Sequence, residues 1–272
     1  MADQTTAPAG AAGVEKTRRR NFVTTMLAFA GELVLLFWRT LRALKNGIDG
    51  RDLLDQMASL GVNSISIALL TSFTSGAVLS LYFAPFLKQY GAESFAGAVV
   101  CLAISRELAP VLTGVVVAAR AGSAIAAELG SMVVSEQIDA LRALAVSPVQ
   151  YLVVPRLLAA VIMLPVVGIL ADAFGIFGGY LVAVKLENVA PAVFLSSIKE
   201  FLTPRDFTLG LIKTVVFGLI IALVGCQQGL ATRGGATEVG RATTNAVVIS
   251  IVLLYVANFG LTYVMFSQVT QF

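Results

Sequence analysis

Two adjacent charged residues, Arg106 and Glu107, lie near the middle of a long apolar segment. A charge at the bilayer centre costs about 2.5–3.5 kcal/mol on insertion scales, so such residues usually face a bundle interior or a water-filled cavity. Neighbouring helix positions differ by about 100°, so the two side chains point in different directions. We interpret the pair either as part of a transport pathway or as an internal ion pair with a neighbouring helix.

Three further residues of the apolar segments could place a polar group inside the membrane. Pro110 has no backbone N–H to bond the Arg106 carbonyl, so the spacing predicts a free polar carbonyl and a kink. Asp172 is interpreted as a hydrogen-bonded packing residue or as a functional group. Lys213, near the outer end of its segment, either extends to the lipid headgroups or contacts a substrate.

The residue types and motifs that the sequence lacks exclude several kinds of catalytic and metal site. The chain has no histidine, which removes Ser-His-Asp and Cys-His catalysis and the commonest metal ligand. Cys101 and Cys226 lie in apolar segments and are typical of small buried hydrophobic residues. No G-x-x-x-x-G-K-[ST] loop occurs, so ATP-driven work requires a partner. We therefore expect no cofactor and no metal in this chain.

Composition and segment lengths define the elements that must position these residues. Hydrophobic residues make up 57% of the 272 residues and charged residues 13%, against about 45–50% and about 25% in soluble domains. Five apolar segments are longer than the roughly 18 residues that suggest a membrane span. They cover residues 59–84, 94–118, 152–184, 207–230 and 245–267. The sequence predicts an all-α integral membrane protein with five transmembrane helices.

The N-terminal region divides into two parts ahead of a five-span domain over 46–272. Residues 1–21 are rich in Ala, Thr and Gly and end in a run of arginines, which predicts a disordered basic tail. Residues 22–45 predict an amphipathic helix in the membrane interface, with Trp38 at headgroup depth and Arg39 reaching lipid phosphates. A true membrane span is the alternative for this segment.

A polar insert over 119–151 separates the second and third apolar segments. Val134, Ile138, Leu141 and Ala145 form an apolar stripe, and Ser147-Pro148 ends the predicted helix. Such a helix lies on the membrane surface or docks into a groove on a partner.

The distribution of Lys and Arg predicts the orientation. With the N-terminus in the cytoplasm, thirteen of the 19 basic residues lie on the cytoplasmic side and four on the outer side. This bias agrees with the positive-inside rule and places the C-terminus outside. Most of it comes from the basic residues ahead of the first span.

A ridge of small residues recurs every four positions in and after the second segment. Such a ridge allows close helix approach, either within the subunit or at a homodimer interface. Its members are Gly114, Ala118, Gly122, Ala126 and Gly130.

Several motifs together resemble a known family. The stretch Glu136 to Pro155 resembles the EAA loop by which ABC-transporter permeases bind their ATPases. The stretches over 105–141, 174–183, 211–218 and 240–248 are similar, in order and spacing, to MlaE-type permeases, the membrane subunits of MCE-associated lipid transporters. The resemblance covers about residues 22–267. Many family members carry Asp where this chain has Asn258, which puts any role for a charge there in doubt.

The resemblance implies a fold and a set of partners. It implies a homodimeric, non-catalytic permease of a bacterial inner membrane, with an interfacial N-terminal helix, five spans and a cytoplasmic coupling helix over about 131–147. P-loop ATPase subunits, carrying ATP and Mg, bind the coupling helix, and an MCE-domain protein binds the outer face. Phospholipid is the cargo moved between membranes, and no nucleic acid is involved.

The resemblance also assigns residues to two sites. The lipid pathway comprises Leu79, Tyr82, Arg106, Glu107 and Lys213. The residues assigned to ATPase coupling are Glu128, Glu136, Ile138, Asp139, Leu141 and Arg142.

Two other functions compete with this interpretation. The first is a self-sufficient secondary transporter in which Arg106, Glu107 and Asp172 form a proton relay. The second is an intramembrane enzyme that acts on lipid with Glu107 as acid or base, which the lack of an evident nucleophile disfavours.

Overall fold

A computed structural model describes residues 22–47 and 50–266. The predicted tail over 1–21 lies outside the described residues. Within the described ranges the chain is helical and contains no strand. The eleven α-helices of these ranges are α1 Phe22–Ala43, α2 Gly50–Met57, α3 Asn63–Gln89, α4 Ala96–Ala103, α5 Ala109–Val117, α6 Ser123–Val134, α7 Gln137–Ala143, α8 Val154–Lys185, α9 Pro191–Phe201, α10 Pro204–Leu230 and α11 Ala236–Phe266.

Five continuous helical segments are long and apolar enough to cross a membrane, which confirms the predicted number. They run over Gly50–Gln89, Glu93–Val134, Val149–Lys185, Pro204–Leu230 and Ala236–Met265. Because successive spans reverse direction, α1, α7 and the loop after α10 share one end of the bundle, which we call the α7 end. Helix α9 lies at the opposite end, which we call the α9 end.

The second span is much longer than the predicted 94–118. Two five-residue π-turns, Ile104–Leu108 and Ala118–Gly122, join α4, α5 and α6 without ending the helix. The α6 residues Ile125 and Leu129 are buried in the core, which explains why the helix continues into the predicted polar insert. As a result, Arg106 and Glu107 lie between the middle of this span and its α9 end.

The amphipathic helix of the insert is also shorter than the predicted 131–147. Glu136 adopts a left-handed conformation with φ 59° and separates α6 from α7, which covers Gln137–Ala143. Ala145 is left-handed as well, with φ 58°. Pro148 therefore precedes the next helical turn, Val149–Val153, instead of ending α7.

Glycines bring the backbones of α3 and α8 into direct contact. A Cβ atom on Gly76 would overlap the Gly175 carbonyl, and one on Gly178 would overlap the Phe73 carbonyl. The second-span ridge packs in the same chain, since Gly114 faces Leu254 of α11. The small residues thus serve packing within the subunit, the first of the two alternatives.

The first helix, α1, lies against the α7 end. The Gln227 amide, close to the end of α10, donates a 2.7 Å hydrogen bond to Glu32. Further along α1, Phe37 and Leu41 line a small gap against Val154 at the start of α8. α1 thus contacts two spans at the same end of the bundle, and its place in the membrane interface stays a prediction.

Candidate functional site

The π-turn over Ile104–Leu108 presents three consecutive polar residues to different neighbours. Ser105 faces α8, Arg106 faces the start of α10, and Glu107 faces both α10 and α11. Gly210 lets α10 approach this turn, since a Cβ there would overlap the Ser105 carbonyl. The predicted divergence of the Arg106 and Glu107 side chains is confirmed, and π-turns of this kind are frequent at functional sites.

Arg106 forms an ion pair with Asp206 in the first turn of α10. The guanidinium donates through Nε at 2.8 Å and through Nη2 at 2.7 Å to the same carboxylate oxygen. The second oxygen of Asp206 accepts from the Thr203 hydroxyl at 2.7 Å and from the Thr203 backbone N–H at 3.0 Å. Thr203 and Asp206 form a capping box, so the partner of Arg106 is fixed by the start of its own helix.

Lys213 is completely buried beside Glu107. Its ammonium donates to the Glu107 carboxylate at 2.6 Å, the Thr262 hydroxyl at 2.8 Å and the Arg106 carbonyl at 2.8 Å. The Arg106 carbonyl is the one that Pro110 leaves without a helical donor, so the predicted free carbonyl accepts from a lysine. The interpretation of Lys213 as a side chain that extends to the headgroups is wrong, since its side chain has no exposed surface.

Two residues of α11 complete the hydrogen bonds of Glu107. The Asn258 amide donates to Oε2 at 2.9 Å, and the Thr262 hydroxyl donates to Oε1 at 2.8 Å. These residues are four positions apart and share one face of α11. An amide at 258 supplies a donor where an aspartate would bring a second carboxylate against Glu107.

Within the described part of the chain, Asp172 on α8 bonds to Ser105 and not to the charged residues around Arg106 and Glu107. Its two carboxylate oxygens accept from the Ser105 hydroxyl at 2.9 and 3.1 Å. Ser72 on α3 donates to the neighbouring Ala171 carbonyl at 2.6 Å. This arrangement supports the hydrogen-bonded packing interpretation of Asp172.

The polar cluster formed by Arg106, Glu107, Asp206 and Lys213 is partly exposed. The side chains of Arg106 and Glu107 are 33% and 37% exposed, whereas Asp206 is 6% exposed and Lys213 fully buried. The buried partners hold the two exposed groups in place, and the partly buried Leu79 and Leu108 belong to the apolar cluster beside the turn. Such a site can present a guanidinium and a carboxylate to a polar group while apolar chains lie on the helices beside it.

The other predicted pathway residues lie on α3. Leu79 packs against the cluster formed by Val100, Ile104, Ala109 and Ala171, beside the π-turn. Tyr82, one turn further, is 70% exposed. The structure therefore brings Leu79 next to the polar cluster and leaves Tyr82 on the outer surface of the chain.

The predicted ATPase-coupling residues separate into three groups. Glu136, Asp139 and Arg142 are exposed, and the last two form a 2.7 Å ion pair. Ile138 and Leu141 pack into the core. Glu128 lies on α6, where it forms a 2.7 Å ion pair with the buried Arg156.

Four residues of these sites are not among those predicted from the sequence. Asp206 and Thr262 contact the charged pair, and the T-P-x-D order over 203–206 was the available signal for the first. Arg156, one of the thirteen basic residues assigned to the cytoplasmic side, is the buried partner of Glu128. Leu144, 74% exposed after α7, is an apolar side chain available to a partner. Among the described residues, no group of His, Cys, Asp and Glu side chains could hold a metal ion.

Comparison with known proteins identifies the family. Residues 53–264 match the family described as Permease MlaE. A "Probable ABC transporter permease protein" of Synechocystis sp. is 44% identical over 239 residues, which cover 86% of this chain and 91% of the relative. One with the same description from Rickettsia prowazekii is 42% identical, covering 78% of this chain and 82% of the relative.

A plant relative extends the comparison. "Protein TRIGALACTOSYLDIACYLGLYCEROL 1, chloroplastic" of Arabidopsis thaliana is 39% identical over 88% of this chain and 66% of its own length. The family match, the relatives and the five spans agree with the resemblance found in the motifs. The chain belongs to the MlaE permease family and is a multi-pass membrane subunit of the transport type, without a catalytic role of its own.

Proposed function

We propose that this permease carries phospholipid between membranes and that the Arg106–Glu107 cluster receives the headgroup. The observation that carries the proposal is the one-third-exposed Arg106 side chain, which the buried Asp206 holds beside the apolar cluster that includes Leu79. A guanidinium carries five N–H donors, so it can bond a phosphate oxygen in addition to Asp206, and acyl chains require apolar surface beside it. The name of the Arabidopsis relative contains a galactolipid, which supports a lipid as cargo.

A second copy of the chain completes the pocket in this proposal. The fifth span is the least buried of the five and exposes Val252, Tyr255, Val256 and Phe259. The same helix contributes Asn258 to the bonds of Glu107. A homodimer packed along α11 would therefore bury this face and place two copies of the polar cluster near one axis.

The energy source in this proposal is a separate P-loop ATPase with its ATP and Mg. The chain has no P-loop, and its relatives carry ABC-transporter names that imply such a partner. At the α7 end, Glu136, Asp139 and Leu144 are exposed on or next to α7. This surface is our proposed ATPase contact, with Ile138 and Leu141 anchoring α7 to the bundle.

The proposed orientation puts the α7 end in the cytoplasm of a bacterial inner membrane. The Lys and Arg bias supports this orientation, with the C-terminus outside. An MCE-domain protein then meets the α9 end, which lies on the same side as the polar cluster. The proton-relay alternative is less well supported, since Asp172 bonds Ser105 on a different side of the π-turn from Glu107.

The proposal is tested by isolating the tagged chain in a gentle detergent and identifying bound proteins and lipids by mass spectrometry. We expect a P-loop ATPase, an MCE protein and phospholipid. Arg106→Gln should lower bound phospholipid while the proteins remain, Arg106→Lys should restore part of it, and Arg241→Gln, at an exposed pair, should change nothing. An isolated chain, or lipid unchanged in Arg106→Gln, would contradict the proposal.

A further inference from the structure

A groove of about 500 Å³ opens at the α7 end between elements that are distant in the sequence. Arg39 of α1, Arg142 of α7 and Arg233 of the loop after α10 all line it. Neither Arg39 nor Arg233 forms an ion pair with another described residue, and Arg142 pairs with the exposed Asp139. Three cationic side chains from three elements thus converge on one cavity that holds little opposing charge.

The remaining lining of the groove is amphipathic. Leu35, Leu36, Val149 and Leu230 supply apolar surface. Glu32, the acidic residue of the lining, accepts the Gln227 amide at 2.7 Å and is thereby held on the α10 side. A groove with arginines and an apolar wall at a membrane surface matches a phosphate group joined to acyl chains.

We infer that this groove binds the headgroup of an anionic phospholipid from the surrounding leaflet, as a resident lipid and not as cargo. The lipid would join α1, α7 and the end of α10, and so couple the interfacial helix to the helix that contacts the ATPase. The inference uses the orientation and the ATPase contact proposed above, but not the identity of the transported lipid. The occupant is a lipid because the apolar wall would have no role around a free anion.

The single tryptophan of the chain provides a local probe. Trp38 precedes Arg39 on α1, is half exposed and lies 5.6 Å from the Arg42 guanidinium. Brominated acyl chains quench tryptophan only when they lie next to it. The difference in quenching between brominated phosphatidylglycerol and brominated phosphatidylcholine in vesicles therefore measures the lipid preference beside the groove residue Arg39, without ATPase, ATP or transport.

The full-length chain should prefer phosphatidylglycerol near Trp38. A basic residue at an anionic membrane surface contributes about fivefold to lipid association. Arg142→Gln with Arg233→Gln should lower the preference severalfold, although neither residue is on α1. Arg241→Gln, which removes one charge from an exposed pair outside the groove, should retain the preference.

Two results would overturn the inference. The first is a preference that is unchanged in the Arg142→Gln/Arg233→Gln variant; release of the ATPase by that variant would then identify a protein contact. The second is loss of the preference when soluble glycerol 3-phosphate is added, which would identify a site for free phosphate. A cargo other than phospholipid would leave the quenching result unaffected, so the two proposals fail separately.

Discussion

Removing Glu107 and removing Lys213 should lower the free energy of unfolding by different amounts, although the two residues form one ion pair. Lys213 has no exposed side-chain surface, whereas the Glu107 side chain is 37% exposed. Removing one member of a buried pair costs about 3–5 kcal/mol, because the other charge is left uncompensated. Glu107→Leu leaves the Lys213 ammonium beside neutral acceptors such as the Arg106 carbonyl and the Thr262 hydroxyl. We therefore expect the free energy of unfolding to fall by about 3 kcal/mol.

Lys213→Met should lower the free energy of unfolding by less than Glu107→Leu does. The carboxylate of Glu107 keeps the Asn258 and Thr262 donors and remains partly exposed. Solvent screening and these hydrogen bonds reduce the expected loss to about 1.5 kcal/mol. In the double variant no buried charge is left uncompensated, so it should be about as stable as Lys213→Met alone.

The assay is thermal unfolding in detergent at one fixed lipid content. For chains of this size a loss of 1 kcal/mol lowers the melting temperature by about 2–4 °C. We expect decreases of about 6–12 °C for Glu107→Leu and about 3–6 °C for both Lys213→Met and the double variant. The exposed pair of Arg241 and Glu238 is the control, and Arg241→Gln should shift the temperature by less than about 2 °C. Additive losses in the double variant would refute the reasoning.

Three further predictions concern packing, the Glu107 donors and the ATPase contact. Gly178→Ala should cost about 1–3 kcal/mol in thermal unfolding because its Cβ would overlap an α3 carbonyl, whereas Gly31→Ala, with nothing within 4 Å, should cost nothing. Asn258→Asp should lower the melting temperature and the bound phospholipid, since it replaces an amide donor by a second carboxylate; unchanged values would exclude this contact. Leu144→Glu should release the ATPase in pull-downs without changing the melting temperature, whereas Leu141→Glu should destabilise the fold; an intact complex with Leu144→Glu would contradict the proposed surface.

The local consequences of the sequence were predictable around the charged pair. Helix geometry gave the divergence of Arg106 and Glu107, and the chemistry of Pro110 gave the free carbonyl. The partners were not predictable, because Lys213 and Asp206 come from a span about a hundred residues away. Their pairing depends on how α10 packs against the π-turn, which no local pattern contains.

The insert between the second and third spans shows a second limit. Its hydrophobic stripe is continuous through Val134 and Ile138, so the pattern predicts one helix. The chain instead breaks at Glu136, which adopts a left-handed conformation that sequence patterns associate with glycine or asparagine. The burial of Leu129 in the core lengthens α6 and leaves only seven residues for α7.

Transfer of fluorescent phospholipid between vesicles is the most direct test of the central claim. The measurement uses the purified complex of this chain with its ATPase, in the presence of ATP, of a non-hydrolysable ATP analogue, or of a proton gradient alone. We expect transfer only with hydrolysable ATP, with a large decrease in Arg106→Gln and none in Arg241→Gln. Transfer driven by the proton gradient without ATP would contradict the account and identify a secondary transporter.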